Sequence, residues 1–177
     1  PGCNPCVAAP LRIGEKEGVD ADPSLIIELA DERATQALAA RLAGRARQGD
    51  VIALAGPLGS GKTSFARAFI RARGSGHEEV PSPTFTLVEI YAFPAGPPVW
   101  HFDLFRLETA EEAWELGIEE AFVEAISLIE WPERLGGLLP PAHLRLALTP
   151  GADAAARVAR LTATPEWAAR LRGLADG

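Results

Sequence analysis

The chain has 177 residues, 47% apolar and 23% charged, with 17 Lys+Arg against 24 Asp+Glu for a net charge of −7. This size suits one domain, and the composition excludes a disordered chain, a collagen-like rod and a coiled coil. No run of about 18 apolar residues is present to span a bilayer, and the acidic balance argues against gripping RNA or DNA directly, which needs a basic face.

Residues 1–23 hold both cysteines, Cys3 and Cys6, spaced C-x-x-C among Pro and Gly. A structural zinc site needs a second pair of ligands, and a thioredoxin-like site needs a strand-to-helix junction. Neither accompanies these thiols, and His77, His101 and His143 are scattered. The segment reads as a disordered extension with incidental thiols. It lacks the long apolar core of a secretory signal, so the cytoplasm is the expected compartment.

From Ser24 onward, strand and helix patterns alternate. Ser24–Leu29 is expected as a strand. Asp31–Gln48 is expected as a helix capped by Asp31, with Ala34, Ala37, Leu38 and Leu42 at helical spacing. Val51–Ala55 is a continuous apolar run, the mark of a strand buried on both faces. Thr63–Arg73 is a second amphipathic helix, ended by Gly74 and Gly76. Phe85–Phe93 and Val99–Phe105 flank the turn Pro94–Pro98 and read as an antiparallel hairpin. Thr109 and Glu112 form a capping-box pattern for a helix through Trp114. Ala125–Glu130 is a further buried strand, Leu144–Leu148 and Val158–Ala163 are two late strands, and Trp167–Leu174 is a closing helix. The alternation predicts a single α/β domain over residues 24–177, a three-layer α/β/α sandwich. Its sheet is expected to be mostly parallel, with one antiparallel hairpin.

Between the apolar strand and the second helix lies Gly56-Pro57-Leu58-Gly59-Ser60-Gly61-Lys62-Thr63, a match to G-x-x-x-x-G-K-[ST]. Its glycines let successive backbone N–H groups point at phosphate oxygens, and the following helix adds its positive end. Leu58, Gly59, Ser60, Gly61, Lys62, Thr63 and Ser64 form the expected nucleotide-binding run. Lys62 faces the β- and γ-phosphates, and the Thr63 hydroxyl faces Mg²⁺. A metal also needs acids. Val99–Asp103 and Ile126–Glu130 are apolar runs that end in one, and strand ends of a parallel sheet converge beside the phosphate loop. Asp103 or Glu130 would hold Mg²⁺, and the other would orient the attacking water.

Thr84, in Ser82-Pro83-Thr84, either reaches the metal or γ-phosphate or belongs to a Pro-stiffened turn. Arg106 either touches phosphate or a partner, or is a plain surface residue. His101 shares a strand face with Asp103 and either polarises it or packs. Trp131 either flanks the nucleotide or sits in the core.

Taken together, four segments resemble the TsaE family, the small P-loop ATPases of bacterial tRNA threonylcarbamoyladenosine biosynthesis. They are Gly56–Thr63, Ser82–Val88 (SPTFTLV), His101–Leu107 (HFDLFRL) and Glu130-Trp131-Pro132. Their order and spacing agree with the family over roughly residues 24–165. The resemblance implies an ATP- and Mg²⁺-dependent protein that hydrolyses ATP slowly alone. It would work with two partner proteins that together modify adenosine 37 in tRNAs reading ANN codons, meeting tRNA only through them. It implies phosphate and Mg²⁺ binding by Lys62 and Thr63, a metal-ligating Glu130, and Asp103 near the metal or attacking water. Trp131 would lie near the nucleotide, and Glu32 and Thr35 near adenine. Phe105 stands where the family more often has Tyr, and the Gly-Arg pair expected near Asp153 to Ala155 is missing.

Two alternatives share the phosphate loop: a small-molecule kinase and a nucleotide-dependent switch. A kinase needs an Arg-rich lid, whereas Thr109–Glu124 is acidic. The acidic stretch Glu108–Glu124 is instead a candidate face for partner docking. No N-K-x-D run specifies guanine, which favours ATP.

Overall fold

A computed structural model describes residues 12–13, 24–76, 79–172 and 174. The expectations for Cys3, Cys6 and His77 lie outside these residues. Within the expected extension, Arg12–Ile13 form a two-residue strand, β1, which pairs antiparallel with β2 (Ser24–Leu29).

The remaining elements follow in order. They are α1 (Glu32–Ala43), β3 (Val51–Ala55), α2 (Lys62–Arg73), β4 (Val88–Tyr91), β5 (Val99–Asp103), α3 (Glu112–Glu115), α4 (Ile118–Glu124) and β6 (Ile126–Glu130). A 3-10 segment (Pro132–Leu138), β7 (Leu144–Pro150), β8 (Arg157–Ala163) and α5 (Pro165–Leu171) complete the fold.

One sheet runs in the order β1-β2-β8-β7-β3-β6-β5-β4. Its middle is parallel: β7 pairs β3, β3 pairs β6 and β6 pairs β5. The pairs β1–β2, β2–β8, β7–β8 and β4–β5 are antiparallel. The sheet is therefore mixed, not mostly parallel. The turn between Pro150 and Arg157 is too short for the crossover of a dozen or more residues that a parallel pairing needs.

Alternation along the central strands sends side chains to two covered faces. Ile52, Leu54, Ile126 and Leu128 pack with Leu38, Leu42, Phe65, Phe69 and Trp167 on the side of α1, α2 and α5. Val51, Phe102 and Ile129 pack with Ala113, Ile118, Ala121 and Leu135 on the side of α3, α4 and the 3-10 segment. Each buried Leu, Ile or Phe contributes about 1.5–3 kcal/mol, and the two faces account for the three layers. β3 is buried at all five residues, as an apolar run without alternation requires.

Helix α1 starts where expected, with the Asp31 carboxylate accepting from Ala34 N at 2.8 Å. It ends at Ala43, short of Gln48, because Gly44 caps it and the chain turns toward β3. The hairpin forms as β4–β5, but its first strand begins three residues late. Leu87 N donates to Pro83 O at 2.6 Å, closing a turn that leaves Phe85 83% exposed. At the capping box, Glu112 accepts from Thr109 N, but Glu111 is the residue that precedes the short α3.

Candidate functional site

The loop Gly56–Gly61 leaves the end of β3 and enters α2. Gly56, Gly59 and Gly61 all have positive φ, the backbone region that glycine reaches without cost. Gly56 is also crowded: a Cβ there would lie 2.2 Å from Leu148 O.

Beside this loop, β5 and β6 end level, with Asp103 paired to Glu130 in register. Both acids are nearly buried, at 5% and 2% exposure. Glu130 is held at both oxygens. Oε2 accepts from the Thr63 hydroxyl at 2.9 Å, and Oε1 lies 2.9 Å from His101 Nε2. Asp103 is held separately, accepting from the Thr84 hydroxyl at 2.9 Å and from Phe105 N at 3.2 Å. Ser82 Oγ lies 2.8 Å from Thr84 Oγ1 and extends that chain. Thr84 thus meets Asp103 directly. His101 meets Glu130 and not Asp103: it shares a face with both, but its ring leans toward the neighbouring strand.

Lys62 donates to Gly56 O at 2.8 Å and to Pro57 O at 2.9 Å, and its ammonium lies 4.0 Å from the centre of the Trp131 ring. Burial pulls the Lys62 pKa below the ordinary lysine value, partly offset by the charges of Glu130, Glu133 and Asp103. Trp131 has φ +60°, a left-handed conformation uncommon outside glycine. This turns its ring into the cleft against Phe105, 4.9 Å away between ring centres.

Lys62, Thr63, Thr84, Asp103, Phe105, Glu130 and Trp131 line a cleft of about 340 Å³ together with Leu58, Gly59, Gly61, Ser64 and Arg106. The Arg106 guanidinium lies 4.6 Å from the centre of the exposed Phe85 ring. Ser60 is buried, and its carbonyl accepts from Arg157 Nε at 3.1 Å. Two residues of the expected base side are not in this cleft. Glu32 lines an adjoining cleft that meets the first at Ser64. Thr35 is 4% exposed, with its hydroxyl 3.4 Å from Asp31 O.

Arg157, which sequence reasoning did not single out, braces the loop from outside the cleft lining by donating to the Ser60 carbonyl. It begins β8, shortly after Asp153 to Ala155, where the family's Gly-Arg pair was expected. An Arg opening a strand that returns toward the loop was the available signal. Phe105 was legible only as part of a motif, and Arg106 as an open choice between phosphate, a partner and the surface; their place in the cleft follows from the turn after Asp103.

The side chains facing the cleft from the two strand ends and from α2 offer carboxylate and hydroxyl oxygens. Hard oxygen donors suit Mg²⁺, which takes one or two carboxylates plus phosphate and water and needs no all-protein cage. Among the described residues, no three His, Cys, Asp or Glu side chains cluster as a metal cage.

The family model described as "Threonylcarbamoyl adenosine biosynthesis protein TsaE" matches residues 29–159, so it takes in the phosphate loop, both acids, Trp131 and Arg157. The chain belongs to the TsaE family. A Rickettsia felis relative named tRNA threonylcarbamoyladenosine biosynthesis protein TsaE is 38% identical over 120 residues, 68% of this chain and 70% of its own length. The Bacillus subtilis protein of that name is 36% identical over 121 residues, 67% of this chain and 73% of its own. The Haemophilus influenzae protein of that name is 45% identical over 96 residues, 53% of this chain and 59% of its own. A crystal structure of Bacillus subtilis YdiB superposes with a TM-score of 0.72 at 26% identity, covering 87% of this chain and 95% of that one. The TsaE membership and this superposition agree with a P-loop NTPase-like α/β fold.

Proposed function

We propose that this TsaE-family protein binds ATP with Mg²⁺ and hydrolyses it slowly, serving tRNA threonylcarbamoyladenosine biosynthesis. Two partner proteins would hold the tRNA and transfer the threonylcarbamoyl group to adenosine 37 of tRNAs reading ANN codons. Residues 24–177 form its ATPase domain, and its compartment is the cytoplasm. The relatives' names support the pathway. Among the described residues no helix is long and apolar enough to cross a membrane.

The observation that carries the nucleotide reading is the Thr63–Glu130 hydrogen bond. It joins the start of the P-loop helix to the acid at the end of β6, two elements whose meeting makes sense around a phosphate-bound cation. Lys62 supplies positive charge to the phosphates, and the loop N–H groups and the N-terminal end of α2 add donors and dipole. Thr63 and Glu130 would hold Mg²⁺, with Asp103 beside them. The metal would neutralise charge building on the phosphate oxygens. Asp103, steadied by Thr84, would orient the attacking water. Trp131 walls the cleft, and the base would extend toward the first turn of α1, where Glu32 stands.

Titration of the protein with ADP and ATP, with and without Mg²⁺, tests this reading. Lys62→Ala should lower nucleotide affinity at least tenfold and abolish hydrolysis. Hydrolysis at the wild-type rate by that variant would remove the phosphate-loop assignment.

A further inference from the structure

His101 has the signature of a side chain kept for one contact. Its ring is fully buried on β5, its Nε2 lies 2.9 Å from Glu130 Oε1, and its Nδ1 has no partner among the described residues. Leaving a buried polar atom unpaired costs about 1–3 kcal/mol. An apolar side chain would fill this strand position without that cost, so packing alone does not explain a histidine. The contact with Glu130 does. A carboxylate only accepts, so Nε2 carries the proton and donates. With Oε1 held by the ring, Oε2 faces the Thr63 hydroxyl at the start of α2. The register explains the reach: His101 pairs with Leu128 and Asp103 with Glu130, so the ring sits one step behind the two acids on their own face.

We infer that His101 is a positioning residue, donating Nε2–H to Glu130 so that the second carboxylate oxygen is presented toward Thr63 and the nucleotide-bound Mg²⁺. This rests on the reading of Glu130 as the metal-facing acid, and it adds the group that orients it. A carboxylate that swings freely must be ordered each time metal binds, whereas one locked by a buried donor is already in place.

Glutamine and asparagine separate this role from packing. The Gln amide nitrogen reaches about as far from the backbone as histidine Nε2, and that of Asn only as far as Nδ1. ADP binding is measured calorimetrically over a range of Mg²⁺ concentrations and in EDTA, for the wild type, His101→Gln, His101→Asn and Glu130→Gln. His101→Asn should need at least about tenfold more Mg²⁺ for the same gain in ADP affinity, with binding in EDTA unchanged. His101→Gln should stay close to the wild type. A wild-type Mg²⁺ response in His101→Asn, or equal impairment in His101→Gln, overturns the inference. If Glu130→Gln loses the Mg²⁺ response while His101→Asn keeps it, only the role of His101 falls. If Glu130→Gln keeps it, the reading of Glu130 falls and takes this one with it. Should the variants fail to fold, histidine-selective ¹⁵N spectra of the wild type decide. The proton should sit on Nε2, and the signal should move when Mg²⁺ is added to the ADP complex. An unprotonated Nε2, or a signal indifferent to Mg²⁺, overturns the inference.

Discussion

Gly56 shows how narrowly the loop is specified. It sits at φ +137°, and an added Cβ would meet the Leu148 carbonyl and the Ser60 hydroxyl. Neither a carbonyl in the adjacent strand nor a buried hydroxyl can step aside freely. Gly56→Ala should therefore lose at least about 2 kcal/mol of stability, since backbone strain alone costs of order 1–3 kcal/mol. The check is a urea midpoint that falls with an unchanged slope. Lys62 is tuned differently. It holds two loop carbonyls and stacks on Trp131, so replacing it would loosen the wall of the cleft and, on the proposed reading, remove a phosphate ligand. The two acids divide their partners without sharing any: Glu130 has Thr63 and His101, and Asp103 has Thr84 and the backbone of Phe105. On the proposed reading, such separation would let one acid be fixed toward a metal while the other meets water.

Elements bring these residues together with little latitude. Helix α1 depends on one exposed cap, so Asp31→Ala should cost about 1 kcal/mol, read as a lower thermal midpoint. Packed against α2 across the same sheet face, α1 supports the helix that presents Thr63. Element type was legible wherever the pattern was clean, as in the unbroken apolar run Val51–Ala55 and the helical spacing of Thr63–Arg73. Boundaries failed where a local contact intervened: Gly44 ended α1 early, and the Pro83–Leu87 turn delayed β4. Those outcomes depend on hydrogen bonds that hydrophobic spacing does not encode. The mixed sheet was missed in two ways: the short Pro150–Arg157 turn that forces β7 and β8 antiparallel was legible in the sequence, whereas the pairing of β2 with β8 is one that spacing does not encode.

For the molecule as a whole, the cation should matter more than any single side chain. Removing Mg²⁺ with EDTA should weaken ATP binding and stop hydrolysis, measured by calorimetry and phosphate release. Unchanged binding and turnover in EDTA would leave Thr63, Glu130 and Asp103 without the metal role given them. The pathway reading has its own test. Affinity capture from a bacterial extract with ATP should recover two partner proteins of threonylcarbamoyl transfer. Recovery of a phosphorylated metabolite without them would favour a kinase.

Local pattern was enough to place the phosphate loop between strand and helix, to name Asp103 and Glu130 as strand-end acids, and to suggest the TsaE family from four short segments. Those features depend on residues close in the chain, where spacing and backbone preference decide the outcome. The partnerships belong to tertiary structure. His101 joins Glu130 and not its near neighbour Asp103, Thr84 joins Asp103, and Arg157 reaches across 97 residues to Ser60. Each depends on strand register and on the direction a side chain leans. Register was set only when the sheet assembled in the order that puts β3, β6 and β5 side by side.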